Sequence, residues 1–488
     1  MRYAHTVEKV RAAEGAQMAL LPEGTLMRRA STGLATVCAR LLGRVYATRV
    51  LLLVGGGDNG ADTLYAGGEL ARRGARVTAV LAGSGAHEAA LAFFRAAGGR
   101  VADGAGVPES EIDLVIDGLV GIGGRGALRE PYAALVRALP PHAAVIACDV
   151  PSGVDADTGE VGGEAVSADV TVTFGTLKPG LLVDPGASFA GLVELVDIGL
   201  DLPEADVVAA TTADLRPPRP TVESDKYRRG VVGVLAGGDS YTGAAVLAVG
   251  SALHAGAGMV RFASTEGVVD LVRQRWPEAV TTVLDATGLD RADLDRVGRV
   301  QAWVAGPGLG TDARARDLVL AALATDVPVL VDADGLTVLA ELGPGALDRA
   351  APTVLTPHAG ELARLLGAER SDIEARRLHH VRLAAETFAA TVLLKGSTTL
   401  VATRGEPVRA NLTGTPWLAA AGTGDVLSGL AGTLLSAGMP PAEAAATAAH
   451  LHGLAARIAA HPDPRSGPNP ITAWDVLTAI PAAFRQAP

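Results

Sequence analysis

The chain has 488 residues, 49% of them hydrophobic and 19% charged, a balance that buries cores rather than remaining disordered. At about 150 residues per domain, this length calls for roughly two to four domains. A formal net charge of −11, with no stripe concentrating Lys and Arg, excludes a nucleic-acid partner. The two cysteines, Cys38 and Cys148, form neither a disulfide framework nor a metal-spaced cluster. No uncharged apolar run reaches the roughly 18 residues of a membrane span, and the opening MRYAHTVEKVRAAEGA lacks the apolar core of a signal peptide. A soluble, cytoplasmic protein without a membrane partner is expected.

In chain order, two amphipathic helices are predicted at roughly 6–19 and 24–42, separated by Pro22 and Gly24. Short apolar runs then alternate with Ala-rich helical stretches: 49–56, 76–83, 113–121, 144–153, 169–175 and 192–199. These runs are continuous rather than alternating, as strands buried on both faces of a parallel sheet are. The fold class is α/β, doubly wound, with ligands at the C-terminal ends of the strands. Residues 201–225 break the rhythm with prolines and charges and read as a linker. A second series follows at 229–238, 259–264, 302–310, 327–335, 352–360 and 390–402, and a helical block runs from about 425 to 461. No internal repeat relates the halves.

Glycines cluster just after the strands, where α/β folds turn over ligands. AAGTGD (420–425) precedes a helical pattern; its glycines let backbone N–H groups approach an anion, and the helix end adds positive charge. Asp425 stands at the mouth of that site. Taken alone, an Asp there is as readily an N-cap as a base. GPGLG (306–310), TPHAGE (356–361), LLKGST (393–398) and the Asn411–Gly414 turn repeat the arrangement on other strand ends. In the first half, GGGDNGAD gathers Asn59 and Asp62 at a strand end, and Asp117, Asp149 and Ser152 follow later strands. Asx and Ser turns are the ordinary explanation for each separately. Of 42 basic residues, lysine accounts for just Lys9, Lys178, Lys226 and Lys395, which suggests positions needing a compact, movable ammonium.

The set DSYTGAA, GPGLG, LTPHAGE, LLKGSTT and AAGTGD, in this order, resembles the ADP-dependent NAD(P)H-hydrate dehydratases, a ribokinase-like family, over residues 222–488. The resemblance implies a ribokinase-like α/β/α sandwich in which Ala244, Gly308, His358 and Asp425 contact the hydrated nicotinamide nucleotide. Lys395, Gly396, Ser397, Thr398, Thr399 and Gly424 would hold the adenine nucleotide, ADP with Mg²⁺, and Asp425 would be the base. GGGDNGAD, IDGLVGIGGRG, CDVPSGVDADTG and TFGTLKPG resemble the NAD(P)H-hydrate epimerases over residues 1–210, implying a Rossmann-like doubly wound domain. By that resemblance Asn59, Asp117 and Ser152 coordinate potassium. Asp58, Asn59, Gly60, Ala61 and Asp62, with Gly121, Ile122, Gly123, Gly124, Arg125, Gly126 and Ala127, would hold the substrate phosphates. Asp149 would be the acid/base residue, with Lys178 nearby.

The epimerase family usually reads Asn-Asn-Gly-Gly-Asp-Gly where this chain has Asp58 to Thr63. Side chains at Ala61 and Thr63 are expected to stiffen or narrow a phosphate loop, giving a working but weakened epimerase. The expected function is repair of NADHX and NADPHX by a homo-oligomer, with a small-metabolite kinase or a nucleotide-binding module as rivals.

Overall fold

The computed structural model describes the chain except residues 84, 103–105, 108–110 and 463–466. It divides into two compact units, Arg2–Val207 and Val208–Pro488, the latter taking in Met1.

The first unit is built on a seven-stranded sheet that is parallel throughout. Its order is Arg100–Val101, Arg76–Leu81, Arg49–Val54, Leu114–Gly118, Ala144–Cys148, Val170–Phe174, Leu192–Val196. The run RVLLLV shows why such strands read as continuous. Val50, Leu52 and Val54 pack on one face with Leu34 and Leu64 of helices Thr25–Leu42 and Asp58–Arg72. Leu51 and Leu53 pack on the other with Leu135 and Val115. Burying each such leucine contributes about 2 kcal/mol, so covering both faces rewards an uninterrupted apolar run. The chain winds outward from Arg49–Val54, then returns to Leu114–Gly118 on its other side. The crevice between these two strands is the topological switch point where open sheets bind ligands.

The second unit repeats the logic. From Val231–Leu235 the chain winds to Met259–Ser264 and Val280–Val283, then crosses to Ala302–Ala305, Val329–Val331, Thr353–Leu355 and Thr391–Leu394, all parallel. Thr399–Ala402 and Val408–Asn411 extend it antiparallel. Helix Thr423–Ser436 packs against helix Thr242–His254, where Ser251 Oγ donates to the Val426 carbonyl at 2.5 Å. Ala and Gly at this junction let the helices come close, which is how a core with 3% aromatics fills space.

Several elements differ from the sequence pattern. Residues 390–402, expected as one strand, form two, because LKGST turns the chain back on itself. The helical block at 425–461 is two helices, Thr423–Ser436 and Pro441–Ala460, since a proline cannot continue the first. The expected linker contains strand Val207–Ala209 and a 3₁₀ turn at Thr212–Asp214. Val280–Val283 and Val408–Asn411 are too short and polar to show as apolar runs.

Candidate active sites

In the second unit, the switch point lies between Val231–Leu235 and Ala302–Ala305, and the loops that leave these strands interlock there. Gly308 has φ +62°, and a side-chain carbon on it would lie 2.7 Å from the Tyr241 carbonyl and 2.8 Å from Ala244 Cβ. Only glycine fits that approach without strain. The structure therefore brings Ala244 and Gly308 together. The Asp334 carboxylate accepts the Gly310 amide at 2.9 Å and ties the third strand end to the same loop.

Asp425 is the third residue of helix Thr423–Ser436, whose N-cap position belongs to Gly422. It is thus placed as a first-turn carboxylate, not a cap. Burial, then the negative Asp332, push its carboxyl up to about 7 against the opposing pull of Lys395. Lys395 donates to Asp332 Oδ1 at 2.7 Å and stands 3.8 Å from Glu361 Oε2. Burial works to lower its ammonium, but Asp332, Glu361 and Asp425 outweigh that and raise it. Gly424 lies over this pair: a carbon built on it would sit 3.5 Å from Lys395 Nζ. The Lys395 amide donates to the Pro357 carbonyl at 2.8 Å, which sets LKGST beside TPHAGE.

His358 caps helix Ala359–Leu366. Its Nδ1 accepts the Gly360 and Glu361 amides at 3.0 and 3.1 Å, while the His358 amide donates to Glu361 Oε2 at 2.8 Å. The ring nitrogen left for a ligand is Nε2, 3.5 Å from Glu361 Oε1. The 396–399 turn is gathered by buried Arg377, whose Nη2 donates to the carbonyls of Leu394, Lys395 and Thr398 at 3.3, 3.1 and 3.2 Å. Asn411 is an anchor: its Nδ2 donates to Ala449 at 3.1 Å and its Oδ1 accepts from Thr413.

Sequence reasoning missed Asp332, Asp334, Ser428 and Arg377. VDADG (331–335) ends a strand as CDVPSG does, so the signal that selected Asp149 was present for Asp332 and Asp334 as well. Arg377 carried no signal, because its role is made by folding.

The first unit's switch point gathers GGGDNG (55–60) and the 117–121 turn. Asp117 is wholly buried. Its Oδ2 accepts the Ser152 amide at 2.8 Å, and its Oδ1 accepts Ser152 Oγ at 2.7 Å and the Leu119 amide at 3.2 Å. Burial raises its carboxyl to about 6 despite these bonds. Asn59 joins them: a carbon on Gly121 would stand 3.0 Å from Asn59 Oδ1. Buried Asn59 Nδ2 and Asp62 Oδ1 have no hydrogen-bond partner among the described residues. Burial, followed by Asp149, Asp58 and Glu14, pushes the Asp62 carboxyl well above its ordinary range.

Asp149 follows strand Ala144–Cys148 with φ +66°, a conformation aspartate tolerates better than most residues. Its Oδ1 accepts from Lys178 Nζ at 2.5 Å and from Thr173 Oγ1 at 3.0 Å. Lys178, 1% exposed, also donates to Thr173 Oγ1 at 2.9 Å and the Phe174 carbonyl at 3.1 Å, satisfying all three ammonium hydrogens. The exposed Arg125 pairs with Asp157 at 3.4 Å. Glu14, missed in sequence, faces the same acidic group; burial raises it and Lys178 opposes. Its signal was an acid spaced four from Val10 and seven from Val7, on the helix's apolar stripe.

The expectation of a stiffened phosphate loop at 58–63 is corrected. Asp58 opens helix Asp58–Arg72, Ala61 is wholly buried in the core, and Thr63 is buried against Gly118. The Ala61 methyl faces the core, so it neither narrows the crevice nor offers a ligand anything. Gly60 must be glycine, since a side chain there would collide with the Gly55 carbonyl.

Fold and site together define an α/β protein of two units, each gathering carboxylates at the switch point of its own parallel-stranded sheet. A family model described as NAD(P)H-hydrate dehydratase matches residues 232–475, and one described as YjeF-related protein N-terminus matches 23–180. The bifunctional NAD(P)H-hydrate repair enzyme of Mycobacterium leprae is 47% identical over 99% of both chains. A ribokinase-like superfamily protein of Enterococcus faecalis, at 23% identity and a TM-score of 0.50, aligns with 59% of this chain and 99% of its own. An ADP/ATP-dependent NAD(P)H-hydrate dehydratase of Bacillus subtilis, co-crystallised with ATP and Mg²⁺, is 27% identical over 57% of this chain and 96% of its own, at a TM-score of 0.48. The chain belongs to the family of bifunctional NAD(P)H-hydrate repair enzymes. No helix among the described residues is long and apolar enough to cross a membrane.

Proposed function

We propose that residues 1–210 interconvert the R and S epimers of hydrated NADH and NADPH, and that residues 222–488 dehydrate the S epimer with ADP, the protein working as a homo-oligomer. The observation that carries the dehydratase reading is Asp425, raised to about 7 in the first turn of its helix beside the Lys395–Asp332 pair. Such a carboxylate is poised to take a proton at neutral pH. Hydroxide leaves carbon poorly and phosphate leaves well. Asp425 takes the proton of the substrate hydroxyl as its oxygen bonds the terminal phosphorus of ADP, releasing AMP. Phosphate then departs with the C–O electron pair, a proton leaves the neighbouring carbon, and the double bond of the nicotinamide returns. Lys395 and the 396–399 turn bind the nucleotide phosphates, Gly424 lets them approach the helix end, and Ala244, Gly308 and His358 hold the hydrate. Mg²⁺, bound through the nucleotide, would supply positive charge to balance its phosphates.

In the first unit, Asp149 moves the proton at the epimerising centre, and Lys178 keeps its charge balanced. The backbone of 58–62 and residues 121–127 would hold the substrate phosphates. Asn59 Nδ2 is buried without a partner among the described residues, a polar position left open beside the 117–121 turn, and Asn59, Asp117 and Ser152 would hold a potassium ion. Potassium held there would steady the 117–121 turn.

Incubating the protein with mixed NADHX epimers, ADP and Mg²⁺ tests the whole reading, with NADH absorbance as readout. Complete conversion is expected. No NADH from either epimer overturns the dehydratase reading; slow turnover of the R epimer at its spontaneous rate overturns the epimerase reading.

A further inference from the structure

Asp332 has no place in the roles given so far, yet it is the most enclosed carboxylate in the second site. It is 1% exposed, its amide donates to the Ala305 carbonyl at 3.1 Å, and its side chain joins two elements. Oδ1 accepts from Lys395 Nζ at 2.7 Å, and Oδ2 accepts from Ser428 Oγ at 2.6 Å. Ser428 and Asp425 are three residues apart on one helix and so share a face. A carbon on Gly424 would lie 3.5 Å from Lys395 Nζ and 4.0 Å from Asp332 Oδ2. The ammonium therefore stands among three carboxylates and is hydrogen-bonded to Asp332.

We propose that Asp332 is a positioning residue for dehydration: by holding the Lys395 ammonium, with Ser428 as its brace, it keeps Asp425 free of an ion pair and available as the base. The inference rests on the dehydratase reading above. Bonded directly to the ammonium, Asp425 would bind a proton more weakly and take one from a hydroxyl less readily. Left unpaired among negative neighbours, it binds the proton more strongly. The charged groups acting on Asp425 are Asp332 and Asp334 after strand Val329–Val331, Lys395 after Thr391–Leu394, and Glu361 of helix Ala359–Leu366. His452, on helix Pro441–Ala460, is lowered to about 4 by burial and is neutral over the working range. Within this group Asp332 acts twice: its charge supports proton binding at Asp425, and its hydrogen bond keeps the opposing cation away.

The test is the pH–rate profile of dehydration by the full-length protein, measured as kcat/KM for S-NADHX with saturating ADP and Mg²⁺. Asp332→Asn is expected to move the acid limb down by about one pH unit and to lower the plateau about tenfold, because Lys395 turns to Asp425. Lys395→Met should move the limb up, the opposite direction. Asp332→Glu, which retains the charge, should leave the limb near that of the unaltered protein. An acid limb in Asp332→Asn that stays in place or rises, with a cooperative melt retained, overturns the proposal. Should Asp332→Asn fail to fold, Lys395→Met decides: a limb that does not rise shows that the pair does not govern the Asp425 proton. Failure of the unaltered protein to make NADH would instead refute the dehydratase reading, so the two outcomes are distinguishable.

Discussion

Asp425 can accept a proton only when ionised, and its carboxyl is raised to about 7 by burial and by Asp332. Dehydration should therefore climb about tenfold per pH unit below 7 and level off above it. The same shift bears on stability. A carboxyl raised in the folded state binds its proton more tightly than in the unfolded chain, so its stabilising contribution is present below the ordinary carboxylate range and lost as pH rises through 7. Asp425→Asn, which carries no charge at any pH, should abolish dehydration and yet melt at a higher temperature than the unaltered protein at pH 8. The gap should close towards pH 4; an equal gap at both, read by thermal denaturation, would show that Asp425 is not perturbed as described. Residues of this kind were partly legible in the sequence. Asp425, Asp149 and Lys395 could be picked out because glycine turns and strand ends frame them, whereas Arg377 gains its role only when the 394–398 turn folds around it.

Elements were legible where apolar runs exceed about five residues and obscure where chemistry interrupts them, since burial on both faces is what makes a strand visible. LLKGSTTL is one apolar run broken by the residues that turn it, so a hairpin looked like a strand. The 58–63 segment failed for a different reason: its glycine pattern suggested a loop, but an Asp after Gly57 starts a helix, and from there Ala61 faces the core. Restoring Ala61→Gly should therefore not improve epimerisation. It should instead cost about 1 kcal/mol through helix entropy and lost burial, seen in denaturant unfolding, with the epimer exchange rate within about twofold. A large gain in rate would revive the narrowed-loop account. The interlocked Gly308 makes the opposite case. Gly308→Val adds a branched side chain at φ +62° against the Tyr241 carbonyl, and should lower dehydration by about a hundredfold while leaving epimer exchange intact.

For the whole molecule, the proposed chemistry is divided between two units, each with its own switch point and its own carboxylate. Asp149→Asn keeps the positive φ while removing the charge that Lys178 balances, and should stop epimerisation alone. A mixture of Asp149→Asn and Asp425→Asn proteins should then convert both NADHX epimers completely, because the S epimer diffuses from one protein to the other. If the mixture leaves the R epimer behind, the product of one unit does not reach the other through solution. The scarcity of lysine also has a practical consequence. Lys178 is 1% exposed and locked into three hydrogen bonds, Lys395 is held by Asp332, Lys9 is half-buried and paired with Asp206, and Lys226 is exposed. An amine-reactive dye or resin should thus meet Lys226 well before either site, so this enzyme should accept tagging or immobilisation by ordinary acylation at low reagent excess with both proposed catalytic carboxylates left at work.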